Sequence, residues 1–327
     1  MNPSRRRALH LLASGTLSAP WLGRADAQPA GTLRLVLGFP AGASSDALTR
    51  IVGEQIGKTL GHSVIVDNKA GAAGRLANEF VKAAAADGMT LLVTPVATMS
   101  IFPHSYAGQL RYDPFKDFAP VAHLANFQLG WAVNAQVPAK TLAEYVAWVK
   151  ADPARNGFYA SAAAGSLPHF FGVMFARSAG IALTHVPYKG TAPAMQALAA
   201  GEVTALSTVV ADIQSVVDAG KARILAVAGE QRDPSAPNVP TFKELSFDLV
   251  AQPWYAMFAP AGTPNAAIER TAQAAIAAVN DPATRKRLLD MHLQPTGLGP
   301  ERLAKIMQDD YDRWGPVIRA SGFKPEQ

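Results

Sequence analysis

The sequence predicts an α/β protein of two lobes, each a mostly parallel sheet flanked by helices, with a hinged cleft between them. Three observations lead to this prediction. The first third of the chain alternates strand, helix, strand, helix and strand, an order that implies parallel pairing through right-handed crossovers. The same alternation returns over residues 156–228. Two further segments, residues 127–133 and 251–258, link the two units.

The elements of the first unit follow from their periodicity and their ends. The apolar run at residues 33–39 is typical of a buried strand, and Gly61 fits the end of an amphipathic helix over residues 45–60. The unit is completed by strands at residues 63–67 and 90–94 and by a helix that ends near residue 85.

The second unit and the C-terminal tail are interpreted in the same way. A strand at residues 156–161 ends in a loop of small residues, and a helix follows over residues 167–178. Further elements are predicted at residues 183–187, 192–200, 203–210 and 222–228. The tail is predicted to hold three helices, residues 265–280, 282–291 and 300–321. We expect the tail to pack on the first unit.

These elements divide the mature chain into two lobes. We place lobe 1 at residues 28–130 plus 256–327 and lobe 2 at residues 131–255. Ligands of such folds bind at the carboxyl ends of strands, where loops meet helix N-termini. The cleft between the lobes is therefore the expected binding site, and we expect it to close by a hinge near Trp131 and Trp254.

The first 27 residues have the plan of an export signal. Arginines at positions 5–7 precede an apolar run, and Ala25-Asp26-Ala27 forms a small-x-small cleavage site. The run is shorter than the ~20 residues of a membrane span and contains Pro20, so we favour a cleaved signal over a membrane anchor. The arginines resemble a twin-arginine signal, although the twin-arginine and general secretory routes both stay open. The mature protein is expected to begin near Gln28 and to work outside the cytoplasm.

Composition excludes several classes of protein. Hydrophobic residues make up 49% of the 327 residues, which is enough to fill a sizeable core. The net charge is +5, but residues 1–27 hold four arginines and one aspartate, so only two of these charges belong to the mature chain. Nothing therefore favours nucleic acid or an anionic membrane as a partner. The absence of cysteine excludes disulfides, thiol catalysis and thiolate metal sites.

Several motifs occur in an order that resembles one known family. Residues 39–46 read Phe-Pro-Ala-Gly-Ala-Ser-Ser-Asp, and residues 67–74 read Asp-Asn-Lys-Ala-Gly-Ala-Ala-Gly. Further matching segments lie at residues 87–92, 112–121, 165–170 and 185–190. The ordered set covers nearly all of the mature chain. It resembles the Bug-type receptors of tripartite tricarboxylate transporters, a periplasmic solute-binding family.

The resemblance implies a periplasmic-binding-protein-like fold of type II. It also implies a receptor that captures a small organic carboxylate in the periplasm and delivers it to membrane transporter subunits. We expect a monomer with no cofactor, no metal and no catalytic activity. The alternative function is a ligand sensor that presents its bound solute to a two-component signalling system. The ligand stays open among aromatic acids, amino acids, dicarboxylates, tricarboxylates and neutral nicotinamide-like molecules.

The resemblance implies a first binding loop in lobe 1, directly before a helix. Its candidate residues are Phe39, Ala41, Ser44, Ser45 and Asp46. Small residues allow a carboxylate to approach the unpaired amides of the first helical turn, and serine hydroxyls add donors. The alternative is plain N-capping by Ser44 or Ser45. Asp46 is expected to fix the loop through backbone hydrogen bonds rather than to meet an anion.

A matching loop in lobe 2 also precedes a helix, and its candidate residues are Ser161, Ala162, Gly165, Ser166 and His169. His169 either orients the loop or touches the ligand, or it is a packed, hydrogen-bonded core histidine. We expect its imidazole to be neutral, because the positive end of a helix disfavours the imidazolium ion.

Two residues complete the predicted site. Lys189 is either a countercharge for the ligand or an exposed structural lysine, and Thr208 lies at the end of a strand that faces the cleft. Other chemistry has little support. Ser166 and His169 lack a Gly-x-Ser-x-Gly elbow, and the seven histidines show no His-x-x-x-His spacing.

Overall fold

A computed structural model describes residues 31–233 and 236–325 of the chain. The predicted export signal, residues 1–27, lies outside the described residues. Within the described ranges, no helix combines the length and the apolar character that crossing a bilayer requires.

From residue 31 to residue 127 the chain forms four strands and three α-helices before it crosses to the second sheet. The strands are β1 (Thr32–Leu37), β2 (Ser63–Asn68), β3 (Thr90–Pro95) and β4 (Phe118–Phe127). The helices are α1 (Ser44–Leu60), α2 (Arg75–Lys82) and the short α3 (Phe102–Ser105). In β1, Leu33, Leu35 and the two residues that follow Leu35 are buried, as expected of a parallel strand covered on both faces.

The middle of the chain forms five strands and five helices. The strands are β5 (Leu129–Asn134), β6 (Phe158–Ser161), β7 (Thr184–Pro187), β8 (Ala205–Val209) and β9 (Ala222–Val227). The helices are α4 (Leu142–Ala151), α5 (Pro153–Asn156), α6 (Leu167–Ala179), α7 (Thr191–Ala200) and α8 (Val210–Asp218).

The last part of the chain forms β10 (Trp254–Pro260), α9 (Asn265–Asn280), α10 (Pro282–Asp290), β11 (Leu293–Leu298) and α11 (Pro300–Ser321). As expected, this tail packs on the first unit: α9 contacts α1 and β4, and α11 contacts β4. The tail also contains β11, which was not predicted. Pro295 and Gly297 are uncommon inside strands, so the sequence pattern does not indicate β11. Both residue types are tolerated here because β11 lies at the edge of its sheet.

The strands form two sheets, which confirms the predicted two-lobed α/β fold, but both sheets are mixed and not mostly parallel as predicted. The six-stranded sheet has the order β11-β4-β10-β3-β1-β2, and with its helices it is called lobe 1. The five-stranded sheet has the order β7-β6-β8-β5-β9, and with its helices it is called lobe 2. The pairs β1–β2, β1–β3, β6–β7 and β6–β8 are parallel, whereas β10 and β5 run antiparallel to their neighbours.

The predicted linker at residues 127–133 is wrong in one respect. These residues belong to the end of β4 and to most of β5, and only Gln128 separates the two strands. An apolar run that is buried in two successive sheets looks the same in sequence as a buried crossing segment. The chain changes sheets at Gln128 and returns to the first sheet at Trp254, which starts β10. The lobe boundaries at 130/131 and 255/256 stay a prediction.

Candidate functional site

A cavity of about 210 Å³ lies between the two lobes. Its wall includes the loop after β1, the start of α1, the loop after β6, the start of α7 and the start of α8. The wall is mainly apolar, with Phe39, Phe102, Phe127 and Tyr255 as its aromatic members. The rings of Phe127 and Tyr255 stack with their centroids 4.4 Å apart. The cavity therefore combines a hydrophobic body with backbone and hydroxyl groups from both lobes.

The structure brings half of the twelve predicted site residues to the wall of this cavity. These six are Phe39, Ala41, Ser45, Ala162, Ser166 and Thr208. Another five are buried behind the wall: Ser44, Asp46, Ser161, Gly165 and His169. The side chain of Lys189 is exposed and does not line the cavity.

The first binding loop is held by Asp46. The Asp46 carboxylate accepts hydrogen bonds from the Gly42 amide at 3.2 Å, from Asn68 Nδ2 at 3.0 Å and from Arg50 Nε at 3.0 Å. Asn68 Nδ2 also donates to the Phe39 carbonyl at 3.0 Å. These contacts support the interpretation that Asp46 fixes the loop.

Ionised Asp46 is favoured by the same contacts. Burial raises the pKa of the Asp46 carboxyl, but the hydrogen bonds from Arg50, Asn68 and Gly42 outweigh burial. The pKa of Asp46 therefore lies below its ordinary value, and the carboxylate keeps its charge at neutral pH.

The start of α1 is not capped by its own serines. Ala43 occupies the N-cap position, and no side chain there accepts a capping hydrogen bond. The alternative of N-capping by Ser44 or Ser45 is therefore wrong. The Ser44 amide, which has no acceptor inside the helix, donates to Asp212 at the start of α8, and the Asp46 amide donates to the Ala43 carbonyl.

The second binding loop is pinned by side-chain hydrogen bonds behind the cavity. Ser166 Oγ donates to the Ala163 carbonyl at 2.7 Å, and Ser161 Oγ lies 2.7 Å from His185 Nε2. The Gly165 amide donates to His169 Nδ1 at 3.0 Å. The loop thus presents its backbone to the cavity while its polar side chains point back into lobe 2.

His169 is a buried, hydrogen-bonded histidine that orients the loop. Because Nδ1 accepts a hydrogen bond from an N–H group, it carries no proton. Burial lowers the pKa of His169 to about 4, and the pKa of His185, whose ring stacks on His169 at 3.9 Å, to about 3. This lowered pKa agrees with the expectation of a neutral imidazole, and burial is its cause.

Asp212 is a wall residue that sequence reasoning missed. Its carboxyl group lies in the first turn of α8 and accepts a hydrogen bond of 2.9 Å from the Ser44 amide of α1. The Ser44 and Thr191 hydroxyls also hydrogen bond with it. Burial raises the pKa of Asp212 and outweighs these hydrogen bonds. One signal could have found it: an aspartate just after the carboxyl end of a strand, at the edge where ligands bind.

Ser44 links Asp212 to a third polar group. Ser44 Oγ lies 3.3 Å from the buried Tyr255 hydroxyl, which belongs to β10 of lobe 1. Burial raises the pKa of Tyr255, so its hydroxyl remains protonated and can donate. Among the described residues that line the cavity, none is lysine, arginine or histidine, and Asp212 is the only ionisable carboxyl. Across residues 31–233 and 236–325, no group of three or more metal-binding side chains is placed to hold a metal ion.

Comparison with known proteins places this geometry in a family. The model for the tripartite tricarboxylate transporter family receptor matches residues 48–323. BugT of Bordetella pertussis is 29% identical over 314 residues, which cover 96% of this chain and 95% of BugT.

Solved structures of similar proteins support the same family. MatC of Rhodopseudomonas palustris, with bound malate, is 31% identical with a TM-score of 0.82 over 89% of this chain and 100% of MatC. Rpa4515 of R. palustris, with adipate, is 27% identical with a TM-score of 0.87 over 91% of this chain and 99% of Rpa4515. The chain therefore belongs to the Bug-type receptors of the tripartite tricarboxylate transporter family, which are periplasmic solute-binding proteins.

Proposed function

We propose that this protein captures a small organic carboxylate between its lobes and delivers it to a membrane transporter of the tripartite tricarboxylate type. The observation that carries the proposal is the pairing of two small-residue loops, residues 39–45 and 161–166. Each loop precedes a helix N-terminus, each belongs to a different lobe, and both contribute to one cavity wall. A ligand that contacts both loops favours the arrangement in which the lobes touch.

The start of α6 is the proposed site of the ligand carboxylate. Ser166 is the N-cap residue and its hydroxyl points to Ala163, so the first amides of the helix are not satisfied by a side-chain cap. Pro168 lacks an N–H group, so the backbone donors at this helix start are the amides of Ser166, Leu167 and His169. Charge-assisted hydrogen bonds from such amides, together with the helix dipole, favour an anion.

The ligands of two relatives support the class of molecule. MatC is seen with malate and Rpa4515 with adipate, both small carboxylates. The proposed contacts in this chain are Phe39, Ala41, Ser45, Ala162, Ser166 and Thr208, with Ser44, Asp46, Ser161, Gly165 and His169 as the residues that hold them in place. We do not assign Lys189 a contact, because its side chain is exposed.

The proposal includes no covalent chemistry. Ser161 and His185 lie 2.7 Å apart, a distance typical of a nucleophile and its base. Ser161 is fully buried, however, and does not line the cavity. We infer that the pair fixes the second loop. We further propose that the leader is removed near Ala27 and that the mature protein acts as a monomer in the periplasm.

Thermal unfolding of the mature protein with a panel of carboxylates tests capture. A ligand at about 100 times its Kd should add roughly 2.7 kcal/mol of stability, a shift of a few degrees at this chain length. Ser166→Trp places an indole in the cavity and should abolish the shift. Ser178→Trp, at the exposed far end of the same helix, is the matched control and should keep it.

The proposal fails if no carboxylate shifts the unfolding of the wild-type protein. It also fails if Ser166→Trp, with an intact fold by circular dichroism, binds as well as Ser178→Trp. Delivery is tested separately by uptake of the labelled ligand into cells that lack this protein. Uptake should return with the wild-type chain and not with Ser166→Trp.

A further inference from the structure

Asp212 places a carboxyl group in the cavity wall of a protein whose relatives MatC and Rpa4515 are seen with carboxylates. The residue belongs to α8 of lobe 2, and its carboxyl reaches across the cavity to the Ser44 amide at the start of α1 in lobe 1. A ligand carboxylate at this end of the cavity would meet the Asp212 carboxyl group and would compete with it for the Ser44 amide. The two predicted loops are therefore not equivalent: no side chain caps the start of α6, whereas at the start of α1 the Ser44 amide already donates to Asp212.

The partners of Asp212 are all neutral. They are the Ser44 amide, the Ser44 hydroxyl and the Thr191 hydroxyl, and no lysine, arginine or histidine is found among the described residues of the wall. Hydrogen bonds from dipoles stabilise an ionised carboxylate only partly in an apolar cavity, which the raised pKa of Asp212 reflects. An ammonium group on the ligand would supply the positive charge that these partners lack.

The apolar part of the cavity wall favours an apolar ligand skeleton. Phe39, Phe102, Phe127 and Leu167 surround the space between the α6 loop and Asp212 with apolar surface. This surface favours a hydrocarbon or aromatic skeleton over one that carries several hydroxyl or carboxylate groups.

We propose that Asp212 determines ligand specificity by binding an ammonium group. The preferred ligand is then an apolar amino acid in the chemical sense: a carboxylate for the α6 loop, an ammonium group for Asp212 and a hydrocarbon body between them. This inference rests on the proposed function, because it takes carboxylate capture at α6 as given. It distinguishes this chain from relatives seen with the dicarboxylates malate and adipate.

Four probes with six carbon atoms test the inference by calorimetry. Hexanoate carries only the carboxylate, adipate carries a second carboxylate, and leucine and 6-aminohexanoate carry an ammonium group next to or far from the carboxylate. At least one ammonium probe should bind roughly ten- to hundredfold more tightly than hexanoate, and adipate should bind most weakly.

Asp212→Asn is the decisive variant. Asparagine keeps an oxygen that can accept from the Ser44 amide, so the fold and the lobe contact should survive. The ammonium probes should lose at least tenfold in affinity, hexanoate should change little, and adipate should bind more tightly. Asp218→Asn removes an exposed carboxylate from the same helix and should leave all four affinities unchanged.

The outcomes separate this inference from the proposed function. If hexanoate and adipate bind as tightly as both ammonium probes, and Asp212→Asn changes none of these ratios, the inference is overturned while carboxylate capture stands. If none of the four probes binds the wild-type protein, carboxylate capture of this class is contradicted and the inference falls with it. A loss of ammonium binding in Asp212→Asn, with hexanoate retained, supports both.

Discussion

The Asp212 carboxylate accepts a 2.9 Å hydrogen bond from the Ser44 amide and so joins the first turn of α8 to the first turn of α1 across the cavity. Two further hydrogen bonds cross between the lobes at the second loop. Ser105 Oγ donates to the Gly165 carbonyl at 3.1 Å, and Tyr106 Oη donates to the Ala164 carbonyl at 2.8 Å. Opening of the lobes must break contacts on both sides of the cavity, and the second set acts directly on the loop proposed to hold the ligand carboxylate.

Tyr106→Phe should weaken ligand binding because it removes the hydrogen bond to the Ala164 carbonyl while the ring keeps its packing on Phe102. We expect about 1 kcal/mol less free energy of unfolding and a several-fold loss of affinity. Urea denaturation and calorimetry measure these two effects.

Tyr112→Phe is the matched control for this prediction. Its hydroxyl donates to the Thr98 carbonyl, also at 2.8 Å, but within lobe 1. A similar loss of stability with unchanged affinity is expected. Equal affinity losses in both variants would show that binding follows general stability and not the contact between the lobes.

Asp46→Asn should destabilise the protein at neutral pH but not in acid. The pKa of Asp46 is below its ordinary value of 3.8 in the folded state, so its stabilising effect is fully present above pH 3.8. This effect is lost as the pH falls through the folded-state pKa. Urea denaturation should give a difference of roughly 1–3 kcal/mol from wild type at pH 7 and a much smaller one near pH 3.

Asp309→Asn serves as the control for Asp46. Asp309 is an exposed carboxylate paired with Lys305 on α11. Such surface pairs contribute about 0–1 kcal/mol, so this variant should differ little from wild type at pH 7. A constant difference for Asp46→Asn from pH 7 to pH 3 would contradict the assigned role of the ionised carboxylate.

His169→Asn should reduce the loss of stability in mild acid. Burial lowers the pKa of His169 to about 4, so between pH 6.5 and 4 the unfolded chain binds a proton that the folded protein does not. Stability therefore falls as the pH decreases through this window, by up to about 1.4 kcal/mol per pH unit for one histidine. Asparagine can still accept from the Gly165 amide but does not titrate.

The same variant identifies the His169 signal in an NMR titration of the wild-type protein. That signal should titrate with a midpoint near pH 4. A midpoint near 6.5, or an equally steep loss of stability in His169→Asn, would contradict the neutral buried state.

The sequence predicts the elements of this fold where periodicity is local. The apolar run of β1, the amphipathic pattern of α1 and the glycine that ends α1 are all present within a few residues of one another. The two loops before α1 and α6 are found for the same reason. That both loops line one cavity depends on strand order, which the alternation of strands and helices already constrains.

The contact between Asp212 and Ser44 could not be predicted in this way, because Ser44 lies 168 residues earlier in the chain, although the position of Asp212 just after a strand marks it as a candidate. The apolar run that ends β8 continues into Val210, the first residue of α8, so a strand prediction that extends to residue 210 hides the start of the helix. The junction at Gln128 is not predicted, because one buried polar residue between two apolar segments does not mark the end of a strand. In both cases the deciding feature is the three-dimensional packing, which local sequence patterns do not show.

Gly38→Ala, directly before the first binding loop, should damage the site more than Gly42→Ala within the loop. A Cβ atom on Gly38 would lie 2.5 Å from Gly74 Cα and 2.8 Å from the Gly74 carbonyl oxygen, so the backbone of one loop must move. We expect a loss of roughly 1–3 kcal/mol in the free energy of unfolding. Weaker ligand binding should accompany it, because the displaced loops carry Phe39 and Ala73 of the cavity wall.

At Gly42, where φ is +95°, nothing lies within 4 Å of the added Cβ atom. Only the left-handed backbone opposes that substitution, at a cost of about 1–2 kcal/mol. Urea denaturation and calorimetry on both variants compare the two effects, and a Gly38→Ala protein with wild-type affinity would show that the contact between these loops does not position the site.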